Sequence, residues 1–235
     1  MLDTHYSNTH VFTQVFNQPD RFGGDEKFAE GLVNRLSILS AAPTSQKDTG
    51  SAPYVKTSVF GGGDIKDSIW NFSGMSAPIK ILQDNTYGVG VTVSTPPLPD
   101  TPNFDGTVRS APLIVSANDQ IYPSVALETL RAFYDQPNYQ TRVTPEVGIE
   151  WIRMGRQPPI ETTSTSDVMI TYWNDFDRIS ASDLTEKTLH GHDGISDKIL
   201  IWGMTAEGFN NPVSTPYGVM YPHEVQANLL QTVIS

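Results

Sequence analysis

The chain has 235 residues, a formal net charge of −11 and no cysteine. That length suffices for one large domain or two small ones with a sizeable core. The acidic balance excludes general binding to nucleic acid or anionic membrane, whose phosphates it would repel. With 18 glycines and 17 prolines the chain is rich in loops. No run approaches the roughly 18 continuous apolar residues of a membrane-spanning helix. The opening MLDTHYSNTH is too polar for a signal peptide. The absence of cysteine suits an oxidising compartment, and equally many cytosolic domains of this size.

In chain order, Val11, Phe12, Val15 and Phe16 suggest one short helical turn in an otherwise weakly periodic segment. Gly23-Gly24-Asp25 then opens a helix. Phe28, Ala29, Leu32, Val33 and Leu36 recur at helical spacing, and Asp25 and Glu26 sit at the favourable N-terminal end. Ser37 to Ala42 reads as a strand, so the chain begins as α/β. Tyr54 to Phe60 is a further strand candidate. Gly61-Gly62-Gly63 has the flexibility to cradle an anion but lacks the Gly-Lys-Ser/Thr of a phosphate loop and reads as a turn. Tyr87 to Val93 alternates as a strand does. The prolines after it make an extended connection, Asp105-Gly106 makes a tight turn, and Ser110 to Ser116 returns as a strand.

Pro123-Ser124 starts a second helix, with Val125, Ala126, Leu127, Leu130, Phe133 and Tyr134 on its buried face. Residues 143 to 173 read as two or three strands, with Val147, Ile149 and Trp151 alternating, then Val168, Ile170 and Tyr172. Residues 179 to 189 suit a short helix capped by Ser182 or Asp183. Ile199 to Trp202 is a continuous apolar run ending at Gly203, the pattern of a strand covered on both faces. Prolines and glycines make Met204 to Pro222 a long loop. Pro222 starts the last helix, striped by Val225, Leu229, Leu230 and Val233. That helix stops without a capping signal at Ser235, as though the chain were one piece of a longer protein. Ligands of open α/β sheets sit beyond the carboxyl ends of strands, which directs attention to the loop after Trp202.

Two motifs invite catalysis. RFGGDEKF, residues 21 to 28, is similar to the signature hairpin of diguanylate cyclases. However, Lys27 shifts the pattern, the segment reads as a helix start, and the first 20 residues leave no room for the upstream metal-binding strand. HGHDG, residues 190 to 194, contains His190, His192 and Asp193, which have the chemistry of zinc ligands. A metal-dependent hydrolase built on them needs further ligands from elsewhere, and an exposed linker is the simpler reading. No G-x-S-x-G elbow is present.

Two blocks carry a resemblance. The first is KILIWGMTAEGFNNPVSTPYG followed by ANLL, where Gly203, Thr205, Ala206, Thr215, Pro216, Ala227 and Asn228 stand at matching positions. The second is the turn of Asp105, Gly106 and Arg109, leading through an apolar strand to Pro123 and Ser124, with Tyr172 closing a later strand. Both resemble the second family of CHASE-type domains, bacterial sensory domains attached to cyclases and histidine kinases. Asn210 and Asn211 occupy positions where that family commonly has a loop aspartate, and His223 one where glycine usually follows the proline.

The resemblance implies a non-catalytic signal-input domain on the periplasmic or extracellular side of a bacterial inner membrane. It would be attached through transmembrane helices outside this chain and would need no cofactor. Its signal would be a small molecule or a protein, without nucleic acid, and a homodimer is expected because output modules work in pairs. Ligand-binding residues are expected at Asp105, Arg109, Tyr172, Thr205, Glu207 and Asn228. For Asp105 and Arg109, mutual bracing of the turn is the plainer role. A domain that only docks a periplasmic protein is a further alternative. The expected fold is one α/β domain over residues 1–235. Its central, mostly parallel or mixed sheet would be flanked by helices, with strands 36–42 and 199–203 in the middle and a β-rich elaboration from the proline-rich segment and residues 140–175.

Overall fold

A computed structural model describes residues 9–33, 35–46, 59–60, 65–144, 146–173, 175–183, 198–206, 208 and 211–235. Four parallel strands form the centre: β1 (Thr9–Phe12), β2 (Leu36–Thr44), β6 (Gly88–Val91) and β14 (Ile199–Trp202). Their order is β14-β1-β2-β6. β5 (Gly74–Ser76) adds an antiparallel pairing on the last residues of β2. Side chains alternate across the sheet as the strand period requires. Val11 and Ile38 face Val125 and Ala132 of helix α3 (Val125–Phe133), together with Ile199 and Ile201. Phe12 and Leu39 face Ala29 and Leu32 of α1 (Gly24–Leu32) and Leu82 of α2 (Lys80–Asn85). Helices therefore cover both faces, and the mixed α/β fold expected from the sequence is the one observed.

Two glycines set how closely α3 lies on the sheet. A Cβ at Gly90 would come within 2.6 Å of the Val125 Cα, and one at Gly88 within 2.1 Å of Glu128 Oε1. The later strand residue meets the earlier helix residue, so α3 runs antiparallel to β6. Ser124 caps it by accepting a hydrogen bond from the Leu127 N–H at 3.1 Å. Every residue from Val125 to Ala132 is buried, since α4 (Pro222–Ile234) packs on its other side with Val225, Leu229 and Leu230.

The rest is β-rich. β12 (Ile160–Glu161), β11 (Gly148–Arg153), β10 (Tyr139–Thr144) and β3 (Val59–Phe60) form one sheet in that order. β4 (Asn71–Phe72), β8 (Ile114–Ala117) and β9 (Gln120–Pro123) form a second. β7 (Ser110–Pro112) pairs with β13 (Asp167–Met169), and β15 (Val213–Thr215) with β16 (Gly218–Met220).

Several sequence expectations need correction. Val11 and Phe12 belong to a strand and not to a helical turn, because they point to opposite layers. Strand β14 is not central. Among the described residues it pairs with β1 alone, and its apolar run records coverage above and below, not neighbours on either side. Residues 110–116 break at Leu113 into two strands that join different sheets. The segment after β14 contains a hairpin. Phe133 is 54% exposed, at the last turn of α3. Val147 is exposed, and a register shift at Arg142/Val143 leaves Ile149 and Ile152 as the buried pair of β11. Of residues 179–189, expected as a short helix, 181–183 form a 3₁₀ turn and 184–189 lie outside the described residues. The glycines at 61–63, Glu207, and His190, His192 and Asp193 lie outside the described residues.

Candidate functional site

The proline-rich connection is tied down from within. Asn103, 2% exposed, donates to the carbonyls of Thr95 and Ser110 at 2.8 and 3.0 Å. Its Oδ1 accepts from the Arg109 and Ser110 N–H groups at 2.8 and 3.0 Å. The Arg109 guanidinium then forks onto Asp105, with Nη1 to Oδ1 at 2.7 Å and Nη2 to Oδ2 at 2.9 Å. Nη1 also reaches the Pro102 carbonyl at 2.9 Å, and the ring of Phe104 lies beneath the guanidinium, 5.8 Å from its carbon. The Arg109 hydrogen bond, helped by the Thr107 N–H, holds the Asp105 carboxyl well below the usual carboxylate range. Arg109 is shifted upward by the same bond.

Tyr172 joins this turn to the last helix. Its hydroxyl donates to the Val108 carbonyl at 2.7 Å, and burial pushes its pKa up to about 12, so it stays a neutral donor. The neighbouring Trp173 N–H donates to Asn228 Oδ1 at 2.5 Å, and Asn228 Nδ2 donates to the Glu224 carbonyl at 2.8 Å. One turn further along α4, Thr232 Oγ1 accepts from the Thr171 N–H at 3.0 Å. One turn back, Glu224 Oε1 accepts from Arg178 Nε and Nη2 at 3.1 and 2.8 Å. Glu224, Asn228 and Thr232 are four residues apart, so they lie in one line on the helix. Together they form a polar seam that stitches segment 171–178 along α4. The sequence carried this signal as E-x-x-x-N-x-x-x-T, but attention to the apolar stripe hid it.

The amino end of α4 is seated at the carboxyl end of β14. Thr13 donates to the Trp202 carbonyl through both its N–H, at 3.0 Å, and its hydroxyl, at 2.9 Å. This closes the crevice between β1 and β14, where the strand connections diverge. Beyond it the His223 ring lies on Gly203, so closely that a Cβ there would sit 2.1 Å from the His223 Cγ. His223 Nδ1 is buried without a hydrogen-bond partner. Burial lowers the pKa of this imidazole, against an opposing effect of the Glu224 charge and with a lesser lowering by Arg178. Thr205 is exposed, and its carbonyl accepts from the Tyr221 hydroxyl at 3.4 Å.

The structure thus pairs Arg109 with Asp105, ties Tyr172 to the adjoining Val108 and ties Asn228 to Trp173, next to Tyr172, while Thr205 contacts Tyr221 at the amino end of α4. Two buried charged sites escaped sequence reasoning. Asp167 accepts from Trp70 Nε1 at 3.1 and 3.0 Å and from the Thr95 hydroxyl at 2.6 Å, with Thr165 also donating. Glu128 holds Arg131 at 2.8 and 2.9 Å and accepts from the Tyr139 hydroxyl. Both carboxylates are fully engaged in holding elements together. Among the described residues no group of three or more His, Asp or Glu is placed to hold a metal ion, and no helix is long and apolar enough to cross a membrane.

The model of one family, the CHASE2 domain, matches residues 4–235. No curated protein and no solved structure matches the chain significantly. CHASE2 domains are extracytoplasmic, non-catalytic sensory domains of signalling proteins. The match runs across the α/β sheet, the braced Asp105–Arg109 turn and the seam on α4, and the chain belongs to the CHASE2 domain family.

Proposed function

We propose that residues 1–235 act as one signal-input domain of a membrane-anchored bacterial receptor whose output module is a nucleotide cyclase or a histidine kinase. The domain would lie on the periplasmic or extracellular side of the membrane and pair with a second copy. The observation that carries this reading, beyond the family, is how α4 is held. One stripe of it is apolar, and a second line of Glu224, Asn228 and Thr232 is polar, with Asn228 buried and the other two half-buried. Each bond in this line is directional, and a buried polar group left unpaired is costly, so the seam holds α4 in a definite register, and any other seating must supply a second full set of partners.

In this reading a small molecule or a protein engages the loops that carry Asp105, Arg109, Tyr172, Thr205, Glu207 and Asn228. It favours one seating of α4 over another. It can do so only through different affinities for the two states. The test is a thermal-shift screen of the chain against small anions, sugars, nucleotides and metals. A ligand at a hundred times its Kd stabilises the fold by about 2.7 kcal/mol. A shift produced by a small anion and abolished by Arg109→Ala supports the reading. No shift with any of them contradicts a small-molecule signal at these loops.

A further inference from the structure

The opposite pole of the sheet holds a cavity of about 600 Å³. It is lined by Leu32, Val33, Arg35 and Leu36 from the turn between α1 and β2, by Asp84, Asn85, Thr86 and Tyr87 ahead of β6, and by Ala132 and Asp135 at the end of α3. That volume is within the ordinary range of small-molecule sites, roughly 300 to 1,000 Å³. Its charges are divided between its walls. On the α1 side Arg35 has no carboxylate partner among the described residues. On the α3 side stands Asp135, directly beyond the carboxyl end of that helix, where positive charge is favoured. Asp84 is already paired with Lys80 at 2.8 Å. Leu32, Val33, Leu36 and Ala132 add apolar lining to the same cavity, and Val33 and Tyr87 remain 42% and 37% exposed.

We propose that this cavity binds an aliphatic α-amino acid as its zwitterion. Arg35 takes the carboxylate, Asp135 the ammonium group, and Leu32, Val33, Leu36 and Ala132 the side chain. A simple amine satisfies Asp135 but confronts Arg35. A simple carboxylic acid satisfies Arg35 but confronts Asp84 and Asp135. Only a ligand carrying both charges is matched on both walls. The site also has a route to the rest of the molecule. Tyr87 donates to Asp135 at 3.3 Å, and its ring lies 5.3 Å from the Arg131 guanidinium carbon. Arg131 is bound to Glu128 inside α3, and α3 packs on α4.

The site stands on its own chemistry and uses the sensor reading only for its consequence, so binding is measured directly on the chain. Isothermal titration calorimetry would compare L-leucine with 3-methylbutylamine and with 4-methylpentanoate, and then test L-alanine, L-valine and L-isoleucine. The expected result is binding of L-leucine at least ~10-fold tighter than of either analogue, as loss of a charge-assisted bond implies. Arg35→Gln and Asp135→Asn should each weaken it by a similar factor, while Arg109→Ala leaves it unchanged. Both variants alter exposed side chains, and circular dichroism confirms their fold. The proposal is overturned if none of the four amino acids gives heat at millimolar concentration. It is equally overturned if an analogue binds as tightly as L-leucine, or if the two cavity variants bind it unchanged. A failure here leaves the sensor reading standing, because that reading is tested at different residues.

Discussion

Gly203 and His223 show how one position constrains another. The sequence marked Gly203 only as the exit of a strand and His223 as a departure from the family pattern. The structure joins them, since the imidazole occupies the space of a Cβ on Gly203. Gly203→Ala should therefore destabilise by about 1–3 kcal/mol, the range for forcing atoms into a packed contact. Urea denaturation checks this, and the Gly203→Ala/His223→Ala double variant should lose less than the two single costs combined. Burial lowers the pKa of His223 and of His10, the latter with help from the Arg35 charge. Their folded-state pKa values lie below the unfolded value of about 6.5, so the unfolded chain binds more protons as the solution is acidified. Their contribution to stability is complete above pH ~6.5 and is lost as pH falls through the folded pKa values. Melting temperature should fall on acidification below that point, and less steeply in His223→Gln. Glu128→Gln leaves Arg131 buried beside a neutral partner and should cost about 3–5 kcal/mol, read from the shift in denaturation midpoint. None of these pairings is legible in sequence, because spacing along the chain does not report which side chain fills which gap.

At the scale of elements, the seam on α4 makes a graded prediction. Asn228→Ala removes the acceptor of the Trp173 N–H and should destabilise by about 1–3 kcal/mol. Arg178→Ala breaks an exposed pair with Glu224 and should cost less than ~1 kcal/mol. Hydrogen exchange in residues 171–173 and 222–234 distinguishes the two, and only the first should speed it markedly. Helices α1, α3 and α4 were legible because each has an apolar stripe long enough to show its period, whereas the six residues of α2 are too few to show one and were not read. The apolar stripe of α4, opened by Pro222, appears in the sequence as it does in the fold. Strand β1 was not, since four residues with two apolar side chains fit a helical turn as well as a strand. For β14 the composition reported apolar cover on its faces and was silent on its place at the sheet edge. Strand β6 was read as a strand with alternating faces, but all four of its residues are buried, and the meaning of Gly88 and Gly90 within it emerges only from the approach of α3.

At the scale of the molecule, the sheet has two poles with different furnishings. Its carboxyl pole is closed by Thr13 and His223, and its amino pole opens into the cavity between α1, α2 and α3. The family could be read from two motif blocks, because those blocks form one connected structure around α4. The cavity could not, because its walls come from Leu32, Val33, Arg35 and Leu36, from residues 84–87, and from Ala132 and Asp135, which share no motif. In the proposed function the domain sends its signal through the seating of α4. Measuring the output activity of the proposed receptor with Asn228→Ala and with Arg178→Ala, beside hydrogen exchange of α4 in each, tests this most directly. Asn228→Ala should change unstimulated output several-fold, matching faster exchange in α4, and Arg178→Ala should change it little. Unaltered output in Asn228→Ala, with exchange of α4 clearly accelerated, would contradict this role of α4.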